Sequence, residues 1–337
     1  MSENSNLPVV AITMGDPAGV GPEIVLKAIS KINGGDRPTL LLLGDVGLWR
    51  KVKRETGIFV DFHQIDNIDQ LKEGAVNMIS LSSINLDQFE YGKSLPGLGM
   101  ISTFYIIKAT ELALAGKIDA LVTAPINYGV LYEAGYDYPD HSSLLKDHLK
   151  AERIVPMLIG SHIKLAHVTT HIPVCEVARQ ISEEKLLFTF HQVDQLLRDA
   201  YSIESPRLGV AALNPHASEG GRFGGEEDAI IAPAIRKAVT QGLNIAGPTA
   251  VDTLMVDTVR GNHDVAICMN HDQGHLAFNL LEREPGVNLT LGLPIPRTAP
   301  THGAHYELAG RGKASCKGMS KALNLAIKLA YKHKQES

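Results

Sequence analysis

The chain has 337 residues, a formal net charge of -5, 44% hydrophobic and 20% charged residues. That length exceeds one compact core and suits two α/β domains or one large one, and the acidic balance removes any electrostatic case for a nucleic-acid partner. No apolar run of about 18 residues is present to cross a bilayer, the N-terminus MSENSNLPVV lacks a basic region followed by an apolar one, and Cys175, Cys268 and Cys316 form no C-x-x-C pair, so a cytoplasmic protein with reduced thiols is expected.

In chain order, apolar and β-branched runs predict strands over 9–13, 40–43, 76–81, 120–123, 156–160, 164–169, 208–213, 264–269 and 287–291. Helical periodicity predicts helices over 22–32, 99–115, 183–200, 229–240 and 318–332. The runs TLLLLG, ALVTAP and DVAICM are continuously apolar, which marks strands buried on both faces. Strand–helix alternation implies an α/β fold with a mainly parallel sheet and helices on both sides. No repeat or long linker separates the two expected domains, so they are read as interleaved. In such sheets the ligand site lies beyond the C-terminal ends of the strands, where the polar motifs fall. The first of these, G15-D-P-A-G19-V-G21-P22-E23, opens a helix with Pro22 in its first turn. It is neither G-x-G-x-x-G nor a P-loop. It predicts a tight strand-to-helix turn, with Asp16 a turn residue or, less favoured, a ligand contact.

Three histidine motifs sit at predicted strand ends: H167-V-T-T-H171, N214-P215-H216 and H271-D-Q-G-H275. On a strand, His167 and His171 stand roughly 13 Å apart at about 3.3 Å per residue, too far to share one ion. His171, at the strand exit, is the candidate ligand, and His167 is read as a buried, hydrogen-bonded core residue. One imidazole from each of three strand ends, His171, His216 and His271, is a sound set for a divalent metal with a position left open for substrate. A hydrogen-bonding role for each histidine alone stands beside that reading. Last, H302-G-A-H-Y-E-L-A309-G310-R-G312-K313-A precedes the final helix. Its glycines and alanines predict a loop packed against something flat, a nucleotide or, favoured by chemistry alone, a neighbouring helix.

Together these segments closely resemble the 4-hydroxythreonine-4-phosphate dehydrogenase (PdxA) family. MGDPAGVGPEIVLKAI, VTAPIN, HVTTHIPV, NPHASEGGRFGGEE, VDT, MNHDQGH, GVNLTLGLPIPRT, ELAGRGKA and ALNLAIKLA occur in the family's order over almost the entire chain. The resemblance implies a two-domain fold similar to the isocitrate and isopropylmalate dehydrogenases, with an active-site cleft between domains. Residues 1–135 with 290–337 would form the first domain and 136–289 the second, on the metal and dimer side. It implies NAD(P)-dependent oxidation, with decarboxylation, of a 4-phosphorylated hydroxy acid by a homodimer with shared active sites. One divalent ion (zinc, cobalt, magnesium or manganese) would sit on His171, His216 and His271. Substrate contacts fall on His141, Ser142, Asn279, Asn288 and Arg297, and the dinucleotide on the 302–313 loop with His302, Gly303 and Gly310. Asp252 and Asp272 match acidic active-site positions, each either a proton acceptor or a support to a metal-bound histidine.

The sequence departs from the family at several places. Asn279 and Tyr128 stand where the family has lysine, Ser142 replaces threonine, and Ala304 and His305 stand where Thr and Ala are common. His275 follows HDQG, as in the branch acting on 4-phospho-D-threonate or 4-phospho-D-erythronate, which makes that activity the alternative. A third branch oxidises aromatic cis-dihydrodiols, and loss of a phosphate-side lysine would suit it. From other classes, a metallohydrolase would use the same three histidines to activate water without NAD(P), and a non-catalytic relative would have lost activity along with the lysines that Tyr128 and Asn279 replace.

Overall fold

The structure is a computed structural model and describes residues 7–32 and 38–336. The chain divides into two compact units, Met1–Arg153 with Leu293–Ser337, and Ile154–Gly292. In the first, the described elements are β1 (Val9–Thr13), α1 (Gly21–Ile29), β2 (Thr39–Gly44), α2 (Val46–Thr56), β3 (His63–Ile65), β4 (Val76–Ser80), α3 (Pro96–Leu114), β5 (Ala120–Thr123), α4 (Tyr128–Glu133) and α5 (His141–His148). The second holds β6 (Val155–Ile159), β7 (Lys164–His167), α6 (Val177–Gln180), α7 (Glu183–Tyr201), β8 (Leu208–Ala211), α8 (Ala232–Thr240), β9 (Ile245–Thr249), α9 (Val251–Val259), β10 (Val265–Cys268), α10 (His271–Leu281) and β11 (Val287–Leu291). The chain then returns to the first unit for β12 (Arg297–Pro300) and α11 (Lys317–Glu336).

The described strands of the first unit lie in the order β3-β4-β2-β1-β5-β12, and each pairing is parallel. The leucine run of β2 is buried along its length. It lies between β1 and β4 and has no solvent face that would call for a polar side chain. Leu41 and Leu43 share a core with Ile106 and Ala109 of α3 and with Leu144, Leu145 and Leu149. Because α5 buries its leucines there, the first unit extends to Arg153, past the boundary expected at 135. Helix α2 starts where the Asp45 carboxylate accepts from the Leu48 N–H at 2.8 Å and ends at Gly57 with φ 70°, the αL stop that glycine takes without a Cβ clash.

In the second unit the order is β11-β6-β7-β10-β8-β9. The β11–β6 and β6–β7 pairings are antiparallel, and β7–β10, β10–β8 and β8–β9 are parallel. The three histidine motifs therefore leave three adjacent parallel strands at the same sheet edge, with that of His271 in the middle. Below that edge Leu165, Ala266, Cys268, Leu254 and Phe278 form a shared core. No helix among the described residues is long and apolar enough to cross a membrane.

Candidate functional site

At the edge of the second unit, His171 and His216 have φ of 51° and 53°, and the left-handed run continues through Ala217, Ser218 and Glu219. Non-glycine residues adopt this region uncommonly, and it concentrates where function demands a particular side-chain direction. The rings of His171 and His271 have centroids 5.5 Å apart. With metal–nitrogen bonds of about 2 Å, two imidazoles at that separation can share an ion. The Asp272 carboxylate lies 2.8 Å from His271 Nδ1, which orients the ring and leaves Nε2 available to a ligand. A pocket of roughly 290 Å³ is lined by Thr169, His171, Val174, Asn270, His271 and Asp272 among others. The His216 ring packs toward Phe223, 6.2 Å away. Among the described residues no three His, Cys, Asp or Glu side chains are grouped to hold a metal. The structure thus brings two of the three expected ligands together.

Behind the pair stand two further rings. His275 stacks on His271 at 3.7 Å and 13°, and His167 tilts against His275 at 4.9 Å. Burial, then the neighbouring imidazoles, push His275 down to about 4 and His167 down to about 3, so both are neutral at physiological pH. His167 is buried as a core residue, but among the described residues its ring nitrogens lack the well-formed hydrogen bond expected of it. The ring is packed against Gly274 instead: a Cβ there would lie 2.2 Å from His167 Nε2. That contact explains the glycine of HDQG.

The residues that tie this edge together were missed from sequence. Gln273 Oε1 accepts from the Met269 N–H at 2.7 Å while its Nε2 donates to the Ala212 carbonyl at 2.9 Å, joining the ends of β10 and β8. Buried Glu227 accepts from the Leu213 and Asn214 N–H groups at 2.9 and 2.7 Å and from Asn214 Nδ2 at 2.9 Å. Burial raises its pKa, but the Asn214 and backbone hydrogen bonds outweigh it and hold the carboxyl below its usual range. The visible signal was an acidic pair, Glu226-Glu227, directly after a glycine run.

In the first unit Arg297 opens β12 beside Leu121 of β5 and is 1% exposed. Its guanidinium Nε and Nη2 donate to Thr123 Oγ1. Burial pushes its pKa down to about 10, which leaves it charged at neutral pH. Tyr128 Oη accepts from the His141 N–H at 3.3 Å and lies 2.8 Å from His141 Nδ1. With the Tyr128 hydroxyl donating to Nδ1, the ring proton of His141 sits on Nε2. Burial first, then the charge of Arg297, hold the His141 pKa well below the ordinary histidine value. Its Nε2 is buried without a hydrogen-bond partner among the described residues. Ser142 follows at the start of α5 and is also buried. A buried guanidinium near a neutral N–H donor is suited to an anionic group.

The 302–313 loop belongs to this unit. Gly310, at φ 72°, has no room for a side chain, since a Cβ would lie 2.3 Å from the Tyr91 ring. At this position the flat surface is that ring rather than a helix. Gly303 has open space about it, and the His302 Nδ1 lies 3.0 Å from the Gly303 carbonyl. Asp16 is the turn residue favoured from sequence, its Oδ1 accepting from the Ala18 N–H at 2.9 Å.

Three more expected residues lie on α9, α10 and β11. Asp252 is exposed near the start of α9, accepting from the Thr253 N–H at 2.8 Å. Asn279 is exposed on α10. Asn288 lies on β11 with its side-chain oxygen buried and without a hydrogen-bond partner among the described residues.

The family model described as "Pyridoxal phosphate biosynthetic protein PdxA" matches residues 36–326. A 4-hydroxythreonine-4-phosphate dehydrogenase from Geobacter metallireducens is 38% identical over 325 residues, 96% of each chain. A D-threonate 4-phosphate dehydrogenase from Salmonella typhimurium is 35% identical over 325 residues, 95% of this chain and 98% of that one. The crystal structure of a 4-hydroxythreonine-4-phosphate dehydrogenase from Burkholderia phymatum superposes with a TM-score of 0.78 at 36% identity, covering 96% of this chain and 98% of that one.

Proposed function

The chain belongs to the PdxA family, and from that premise we propose that it is an NAD(P)-dependent dehydrogenase that oxidises a secondary alcohol of a 4-phosphorylated hydroxy acid and releases carbon dioxide. The two substrates in view are 4-hydroxythreonine 4-phosphate and D-threonate 4-phosphate. The observation that carries this reading is the His171–His271 pair, with Asp272 on the far nitrogen of His271. A divalent ion would be held by His171 and His271, with His216 as the third ligand. Zinc or cobalt suits imidazole donors better than magnesium, which prefers oxygen. When bound, the ion lowers the pKa of the substrate hydroxyl and polarises the oxygen that gains charge on decarboxylation.

The chain's own groups account for the other steps. Arg297 grips an anionic substituent bidentately, and His141, with its proton fixed on Nε2 by Tyr128, donates beside it. Ser142 and Asn288 add polar contacts. Asp272 is committed to orienting His271, which leaves Asp252 as the candidate proton acceptor. The 302–313 loop, through His302, Gly303 and Gly310, carries the dinucleotide, and the protein supplies orientation rather than the redox chemistry itself. We place the enzyme in the cytoplasm as a homodimer, in keeping with three unpaired cysteines.

Purified protein given a divalent metal and NAD or NADP should reduce the dinucleotide with one of the two phosphorylated acids. No turnover with either, at confirmed metal occupancy, overturns the substrate assignment. Absence of dinucleotide binding in calorimetry would point instead to a metallohydrolase.

A further inference from the structure

We propose that the N-terminal G-D-P-A-G-V-G-P-E motif is the anchor of the dinucleotide loop, with Asp16, Glu23 and Lys27 as positioning residues for dinucleotide binding. The inference rests on the reading of 302–313 as a dinucleotide loop and adds what holds that loop in shape.

The anchor is built from both ends. Glu23 and Lys27 form an ion pair one helical turn apart, 2.6 Å between Oε1 and Nζ, with the Glu23 side chain 2% exposed. Glu23 Oε2 accepts from the Gly312 N–H at 3.0 Å and Oε1 from the Ala314 N–H at 2.9 Å. Lys27 Nζ donates to the carbonyls of the same two residues, at 2.9 and 2.8 Å. The pair therefore satisfies donor and acceptor of alternate residues, as a neighbouring strand would, on a stretch to which no strand among the described residues is paired. Unpartnered, those four backbone groups would have to find water or other protein partners.

At the other end of the loop, buried Asp16 accepts through Oδ2 from Tyr306 Oη at 2.6 Å and from Ser94 Oγ at 2.5 Å. The Val20 N–H donates to the Ala304 carbonyl at 2.8 Å. Gly19 permits that approach, since a Cβ there would lie 2.8 Å from the Ala304 oxygen. The carboxylates of the motif are thus spent on protein partners. Gly303 and the outward-facing parts of the segment stay open, so what the motif fixes is the backbone path of the loop. A loop held before its ligand arrives loses less conformational freedom on binding.

The test uses full-length protein with bound metal and three variants, Tyr306→Phe, Asp16→Asn and Glu23→Gln. Binding is read with reduced dinucleotide by fluorescence, and turnover with the phosphorylated acid that the wild type accepts. We expect the dissociation constant for dinucleotide to rise about 5- to 10-fold in Asp16→Asn and Glu23→Gln and about 3-fold in Tyr306→Phe. KM for the acid and kcat at saturating dinucleotide should stay within about 2-fold. Wild type that binds dinucleotide while all soluble variants match it overturns the anchor. So does a parallel loss of dinucleotide and acid affinity, which would mark a general structural role. Tyr306→Phe removes one oxygen from a half-buried ring and keeps the test open if Glu23→Gln does not fold. Wild type that binds no dinucleotide refutes the reading of the loop itself, and the anchor with it.

Discussion

In the first unit Arg297, His141 and the 302–313 loop are each tied to hydrogen-bond partners of that unit: Thr123, Tyr128, and the Asp16 and Glu23 carboxylates. In the second unit the imidazoles of His171, His271 and His275 lean on one another, and His171 and His216 ride on left-handed backbone. A group held by buried hydrogen bonds leaves an unsatisfied partner when it is removed, so its loss is felt in both affinity and fold. A ring held by stacking at a sheet edge can be removed with the core beneath it intact. The two units should therefore separate binding defects from turnover defects.

The largest effect expected is that of His216→Ala. Turnover should fall about a thousand-fold or more, while the melting temperature moves by less than about 2 °C, read by steady-state kinetics and thermal scanning. Aggregation, or activity kept near wild type, would break the contrast. Next, Arg297→Met removes a buried charge-assisted donor worth about 2–3 kcal/mol, and KM for the phosphorylated acid should rise about 30- to 150-fold. Metal affinity in the same variant, measured by calorimetry, should be unchanged. Asp272→Asn should do the reverse, weakening metal binding about 10- to 100-fold with dinucleotide affinity kept.

A stability effect follows from the buried imidazoles. His141 is held well below, and His167 down to about 3, against about 6.5 in the unfolded chain. In that window the unfolded state binds more protons, so stability is complete above about pH 6.5 and declines as the pH falls. Each histidine contributes a slope of up to about 1.4 kcal/mol per pH unit. Urea unfolding at neutral and mildly acidic pH checks the sign, and a flat profile would contradict the burial argument. The smallest effect is Tyr128→Phe, which frees the His141 tautomer. KM for the acid should rise about 3- to 10-fold with kcat little changed.

The parts of the fold legible in the sequence were those whose burial leaves no choice of residue. TLLLLG and DVAICM read as central strands because both faces are covered, and the histidine motifs fell where β7, β8 and β10 end. The strands His63–Ile65, Ile245–Thr249 and Arg297–Pro300 were missed because they are short or polar, or carry a Gly-Pro pair that argues against a strand except at an edge. Helix α10 was missed although its start was marked. Asn270 caps it by accepting from the Gln273 N–H at 3.0 Å, the Asn-x-x-Gln spacing of a capping box. That helix makes His271 and His275 neighbours one turn apart, which a strand-end loop did not suggest. The contacts of Gln273 with Ala212, of Glu227 with Leu213 and Asn214, and of Glu23 with Gly312 and Ala314 join residues 13 to 291 positions apart and have no local signature.

The most direct test of the paired imidazoles is cobalt(II) titration of chelator-stripped protein, followed by the visible spectrum of the bound ion. Wild type should take up one equivalent with the bands of an imidazole-ligated site, and His171→Ala and His271→Ala should each lose them. Equal uptake and equal spectra in wild type and both variants would contradict the account.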